Sequence, residues 1–182
     1  MPMKQTRSMI LIALFAALTA VGAFLRIPTP VSSFSMQVLF TAMAGILLGK
    51  RGGLASQAVY VLLGLVGLPV FTVGAGLSAL LQPTGGFLLG LLPMAWVTGW
   101  VVERRNSRFW DLCLASAAGL AVLYAVGLPW MHGILTVWLQ QDWSVGQTLV
   151  SGMLVFLPWD FAKIVLVGAL CSRVRPGILR LL

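Results

Sequence analysis

Long apolar runs broken by short basic clusters set the rhythm of this chain, and no Asp, Glu, Lys or Arg occurs from Gly52 to Val102. A hydrocarbon core about 30 Å thick takes roughly 20 apolar residues per helix to cross, so that run has room for two crossings and a turn. The same count along the whole sequence predicts six transmembrane helices, at about 9–25, 35–48, 53–66, 86–102, 112–128 and 148–171, the second and third being short. An outer loop, 67–85, then joins the third to the fourth, and an outer segment, 129–147, joins the fifth to the sixth. In that outer segment Trp130, Ile134, Val137 and Trp138 recur at i, i+4, i+7 and i+8, the spacing of a helix lying along the membrane interface. Threaded through as a further span, it would be too short and would carry the last Arg cluster to the other side.

Composition agrees with the pattern. Of 182 residues 59% are hydrophobic and 9% charged, with a mean hydropathy of +0.99, whereas a soluble protein carries roughly a quarter of its residues as charges. The expected fold is an all-α integral membrane protein, a single domain spanning 1–182. Twelve Lys and Arg against four Asp and Glu give a net charge of +8. In a soluble protein that balance points to nucleic acid; here it points to anionic lipid and to topology. With six spans, Lys4, Arg7, Lys50, Arg51, Arg104, Arg105, Arg108, Arg173, Arg175 and Arg180 share one side, which the positive-inside rule makes cytoplasmic, as it does both termini. Arg26 and Lys163 are the two cations left over. The basic start, apolar run and small residues Val21-Gly22-Ala23 have the pattern of a secretory signal, but the later spans make cleavage unnecessary for export. Cys113 and Cys171 map near cytoplasmic helix ends, where thiols stay reduced, so no disulfide is expected.

Catalytic chemistry finds little support. The one histidine, His132, has no His, Cys or carboxylate near it in sequence to complete a metal site or triad. There is no HExxH, nucleophile elbow or Walker loop, so neither an enzyme nor a self-powered ATP-driven pump is expected, and no metal or cofactor. Asp160 and Lys163 are more informative: three apart in the last span, they share a helix face, and charge inside lipid usually marks a ligand or ion path. The alternative is a mutual ion pair that stabilises the bundle. Pro158 cannot donate to the carbonyl of Leu154 and is expected to bend that span near Asp160. The glycine-rich, uncharged loop 67–85 is either a lid or a plain connection. Ala13, Ala16, Ala17, Ala20 and Ala23 make overlapping small-xxx-small spacings that let another helix approach closely, within this chain or from another protein.

Several segments together carry a resemblance. They are Ala13-Leu14-Phe15-Ala16-Ala17-Leu18-Thr19-Ala20, Arg26-Ile27-Pro28-Thr29-Pro30-Val31, Met36-Gln37-Val38-Leu39, Gly67-Leu68-Pro69-Val70-Phe71, Pro83-Thr84-Gly85-Gly86-Phe87 and Pro158-Trp159-Asp160-Phe161-Ala162-Lys163. In this order they resemble the BioY family, the biotin-binding S components of energy-coupling factor transporters. Gln82 departs from the glycine that the resemblance leads one to expect before Pro83. The resemblance implies a six-helix bundle in the cytoplasmic membrane of a prokaryote, with biotin bound near the outer face as transported substrate. It also implies that the first helix docks through Ala13 and Ala17 on a transmembrane coupling protein carrying two ATPases, although some members are thought to act without them. Biotin's ureido ring suits a carboxylate acceptor such as Asp160, and its valerate needs a cation, for which topology leaves Arg26 and Lys163. Gln37, Tyr60, Gln57 and Thr84 are polar candidates for the remaining edges, with Trp159 and Phe87 as apolar walls. The competing functional class is a structural membrane protein in which Asp160 and Lys163 only hold the bundle together.

Overall fold

The computed structural model describes residues 2–28, 33–72, 74–106 and 108–179. Thr29, Pro30 and Val31 of the second motif, and Arg180 of the last basic cluster, lie outside the described residues. The helices are Pro2–Phe24 (α1), Gln37–Leu65 (α2), Gly85–Glu103 (α3), Phe109–Gly133 (α4), Val145–Leu149 (α5) and Leu157–Leu179 (α6). Among the described residues, five helical stretches are long and apolar enough to cross a membrane: Gln5–Phe24, Gln37–Leu65, Gly85–Glu103, Phe109–Trp138 and Val145–Ile178.

The two short helices expected at 35–48 and 53–66 are both contained in α2, which doubles back on itself. Gly49 has φ 73° and ψ 179°, a region that residues with a β-carbon enter only at a cost. Contacts on either side are symmetric about it. Gln37 Nε2 donates to the Tyr60 hydroxyl at 2.6 Å, Thr41 Oγ1 donates to Gln57 Oε1 at 3.1 Å, and a Cβ on Gly53 would lie 2.8 Å from Gly45 Cα. The two arms are therefore antiparallel. Glu103, at the end of α3, latches the turn by accepting the Lys50 backbone N–H at 2.9 Å and pairing with Lys50 Nζ at 3.0 Å. Gln57 also donates to Thr19 Oγ1 of α1 at 3.2 Å, so this candidate binding residue is spent on a satisfied polar layer between helices.

Three local features differ from the sequence expectation. Arg26–Pro28 (β1) and Ser33–Ser35 (β2) form a short antiparallel ribbon with Arg26 opposite Ser35, and Pro28 favours extended backbone at the end of its first strand. The fifth helix does not stop near 128: it runs through Pro129 and continues as a π-turn over Ile134–Trp138, so Trp130 and Trp138 do not start a separate interfacial helix. Trp130 instead donates its indole N–H to Leu80 O at 3.0 Å, which fixes that end of α4 against the 67–85 loop. The last span is broken into α5, a π-turn over Val150–Leu154, and α6. Pro158 thus falls in the first turn of α6, where its missing N–H costs nothing, directly after the irregular turn at 155–156.

The described core joins Phe15 and Ala16 of α1 to Leu39, Ile46 and Leu47 of α2, Leu91 and Met94 of α3, Leu112 and Leu120 of α4, and Val167 of α6. One end of the bundle carries the Lys50–Glu103 latch and the Arg175 bond to Ile46 O at 3.2 Å. The ribbon and the 67–85 loop lie at the other end, where Arg26 bonds Thr72 O.

Candidate ligand-binding cavity

At the end carrying the ribbon and loop, a cavity opens between α2, α3, α4 and α6, with about 670 Å³ of empty space, mouth included. Val38, Phe87, Leu88, Leu91, Leu123 and Phe156 supply an apolar wall, and Ser35, Gln37, Thr72, Thr84, Tyr124, Asp160 and Lys163 supply the polar groups.

The break before α6 places Asp160 in that helix's first turn, where the helix dipole favours a carboxylate. Lys163, three residues on, donates Nζ to Asp160 Oδ1 at 2.9 Å, and Tyr124 of α4 donates its hydroxyl to Oδ2 at 2.5 Å. Asp160 is 4% exposed and Lys163 8%, which makes theirs the buried ion pair among the described residues; Lys50–Glu103 and Arg105–Asp111 are far more exposed. Each carboxylate oxygen has two lone pairs and the ammonium three N–H groups, so with these bonds made the pair still offers acceptors and donors side by side. A group carrying N–H and C=O together would satisfy both.

Glycines fit the wall together. A Cβ on Gly127 would lie 2.3 Å from Phe87 Cδ1, so the Phe87 ring rests on bare α4 backbone and meets Tyr124 edge-on at 6.3 Å. A Cβ on Gly64 would lie 2.1 Å from Phe71 Cζ, so the Phe71 ring of Gly67-Leu68-Pro69-Val70-Phe71 is sunk against α2. Tyr60 donates to Val70 O at 3.0 Å. These two anchors hold Thr72 at the cavity, and Arg26 bonds the Thr72 carbonyl from the rim.

Of the residues singled out from sequence, Asp160, Lys163, Gln37, Thr84 and Phe87 line the cavity. Tyr60 stands behind Gln37 and positions it, while Arg26 touches the rim through Thr72. Trp159 does not line the cavity and is 54% exposed: one residue from Asp160, it is turned about 100° around the helix. On α1, Ala13 and Ala17 are exposed, whereas Ala16 and Ala23 are buried. Sequence reasoning missed Tyr124, Phe156, Ser35 and Thr72. Tyr124 had a signal, as one of only two tyrosines and set in a strongly apolar run; Ser35 and Thr72 had none, since a ribbon and a loop bring them in.

The sequence model of the BioY family matches residues 1–180. The chain belongs to the BioY family. It is 42% identical over 171 residues to the probable biotin transporter BioY of Lysinibacillus sphaericus, covering 93% of this chain and 87% of the relative. Identity to the biotin transporter BioY of Thermotoga maritima is 34% over 170 residues, covering 93% and 96%. Its fold matches the crystal structure of an S-component for biotin from an ECF-type ABC transporter, with a TM-score of 0.81 and 27% identity over 94% of this chain and 92% of that one. With five helices among the described residues apolar and long enough to cross a bilayer, this BioY protein is a multi-pass protein of the cell membrane.

Proposed function

We propose that this BioY protein captures biotin as the S component of an uptake transporter, and that the cavity beside the 67–85 loop is the capture site. The observation that carries the proposal is the buried Asp160–Lys163 pair, braced by Tyr124, on the wall of an otherwise largely apolar cavity. Biotin's ureido group has two N–H donors and one carbonyl on one edge. Asp160 accepts an N–H while Lys163 donates to the carbonyl, both as charge-assisted bonds. The thioether ring then lies against Phe87 and Phe156. With Lys163 taken up at the ureido end, the valerate carboxylate falls to Arg26 at the rim, near Thr72. A purely structural role for the pair leaves the cavity in front of it without a purpose.

The two arms of α2 bring the crossings to six, and an even number puts both termini on one side, with the cation-rich end cytoplasmic by the positive-inside rule. The cavity then faces outward, as capture requires. This chain has no Walker loop, and the exposed Ala13 and Ala17 of α1 form the docking face for a coupling protein bearing two ATPases, since small residues let helices meet closely. Ala16 and Ala23, on the buried side of α1, serve internal packing.

Competition at equilibrium tests the ureido assignment. Lipoate shares the valerate and carries a five-membered sulfur ring, a dithiolane in place of the thioether, but lacks the ureido group. Labelled biotin bound to the purified chain should be displaced by unlabelled biotin and not by lipoate at hundredfold excess; equal displacement by both would overturn the assignment.

A further inference from the structure

A second cleft, of about 1050 Å³ with its open mouth, lies at the cation-rich end between the last turn of α3 and the start of α4. Its mouth is formed by Arg104, Arg105, Asn106 and Asp111, and Trp100, Leu114 and Ala118 continue it along the helices. The groove is thus polar at the helix ends and apolar toward the middle of the bundle. The Arg104 guanidinium lies 3.7 Å from the centre of the Trp100 ring and makes no hydrogen bond among the described residues, so its planar N–H fork is held in place with donors unspent. The carboxylate in the mouth is already compensated: Asp111 pairs with Arg105 at 3.5 Å and accepts the Arg108 backbone N–H at 3.3 Å. Trp96 stacks one turn deeper on Trp100, at 6.3 Å and 23°, and both rings are more than a third exposed. An aromatic and aliphatic strip leading away from paired guanidiniums has the shape and polarity of a phospholipid.

We propose that this cleft binds an anionic phospholipid, with the phosphodiester between Arg104 and Arg105 and the acyl chains along Trp100 and Trp96. Guanidinium binds phosphate oxygens bidentately, and basic pockets between helices at a headgroup level suit such lipids. The site is separate from the biotin cavity at the opposite end, so neither proposal depends on the other.

Native mass spectrometry of the full chain in detergent, titrated with phosphatidylglycerol or phosphatidylcholine, tests it. Because Asp111 offsets one of the two guanidinium charges, the one net positive charge should favour phosphatidylglycerol by roughly fivefold. The double variant Arg104→Gln, Arg105→Gln leaves Asp111 uncompensated and should abolish or reverse that preference. Arg51→Gln, which removes one exposed charge at the same end outside the cleft, should leave it unchanged. Trp100→Leu keeps every charge but removes the platform under Arg104, and should weaken phosphatidylglycerol binding about threefold to tenfold. Equal binding of the two lipids by the unaltered chain, or an equal loss in Arg51→Gln, would overturn the proposal. So would displacement of the lipid by millimolar inorganic phosphate, which would make the cleft a small-anion site.

Discussion

A buried lysine and aspartate cost less together than apart, because each supplies the charge and hydrogen bonds that water no longer gives the other. Asp160 and Lys163 meet that condition at 2.9 Å, with Tyr124 taking the second carboxylate oxygen. The same bonds fix the direction of the remaining lone pairs and N–H groups, so the site is organised before a ligand arrives. If Lys163 and Asp160 hold the ureido edge and Arg26 the carboxylate, then blocking the carboxylate as an amide should weaken binding to the unaltered chain about tenfold to a hundredfold, the loss of one charge-assisted contact. Arg26→Gln should bind biotin and its amide within about threefold of each other, as measured by competition. Asp160 and Lys163 were legible in the sequence because charge in an apolar run is conspicuous. Trp159 was misplaced because neighbours on a helix point different ways, and Ser35 and Thr72 were invisible because small hydroxyl residues in loops look the same wherever they point.

At the scale of elements, the fold is legible where length and apolarity decide it and obscure where a single backbone turn does. The expected spans 35–48 and 53–66 already leave a break at 49–52; what hydropathy does not show is how the turn is made, by the left-handed φ of Gly49 and the Lys50–Glu103 latch. The ribbon at Arg26–Pro28 and Ser33–Ser35 and the two π-turns are too short to leave a periodic signature. Close packing at glycines explains motifs that composition could only note: Phe71 is seated on Gly64 and Phe87 on Gly127. Gly64→Ala should therefore overpack this contact and destabilise the chain by about 1–3 kcal/mol, lowering its unfolding midpoint in detergent. It should also weaken biotin binding, because Thr72 follows directly after Phe71. Gly49→Ala should cost about 1–3 kcal/mol through its φ of 73° and ψ of 179°, with its Cβ also 2.8 Å from Glu103 Oε1 of the latch, and leave biotin affinity unchanged in the fraction that folds, since the turn lies at the opposite end of the bundle.

At the scale of the whole molecule, the ligand cavity and the cation-rich surface occupy opposite ends, and α1 presents one face inward and one outward. That division predicts separable functions. Ala13→Trp with Ala17→Trp should abolish assembly with a coupling protein, because bulky side chains keep helices apart, while biotin binding by the isolated chain stays within about twofold; loss of both would assign those alanines to internal packing. On the proposed function, the Asp160–Lys163 pair is the group that holds the vitamin. Removing both charges at once strands neither partner, so the variant Asp160→Asn, Lys163→Met should keep the unfolding midpoint of the unaltered chain within a few degrees. Equilibrium binding of labelled biotin to that purified variant is the direct measurement. The predicted result is a loss of more than about a hundredfold in affinity, from two charge-assisted bonds; near-normal binding by the folded variant would contradict the account and leave the pair a structural element of the bundle.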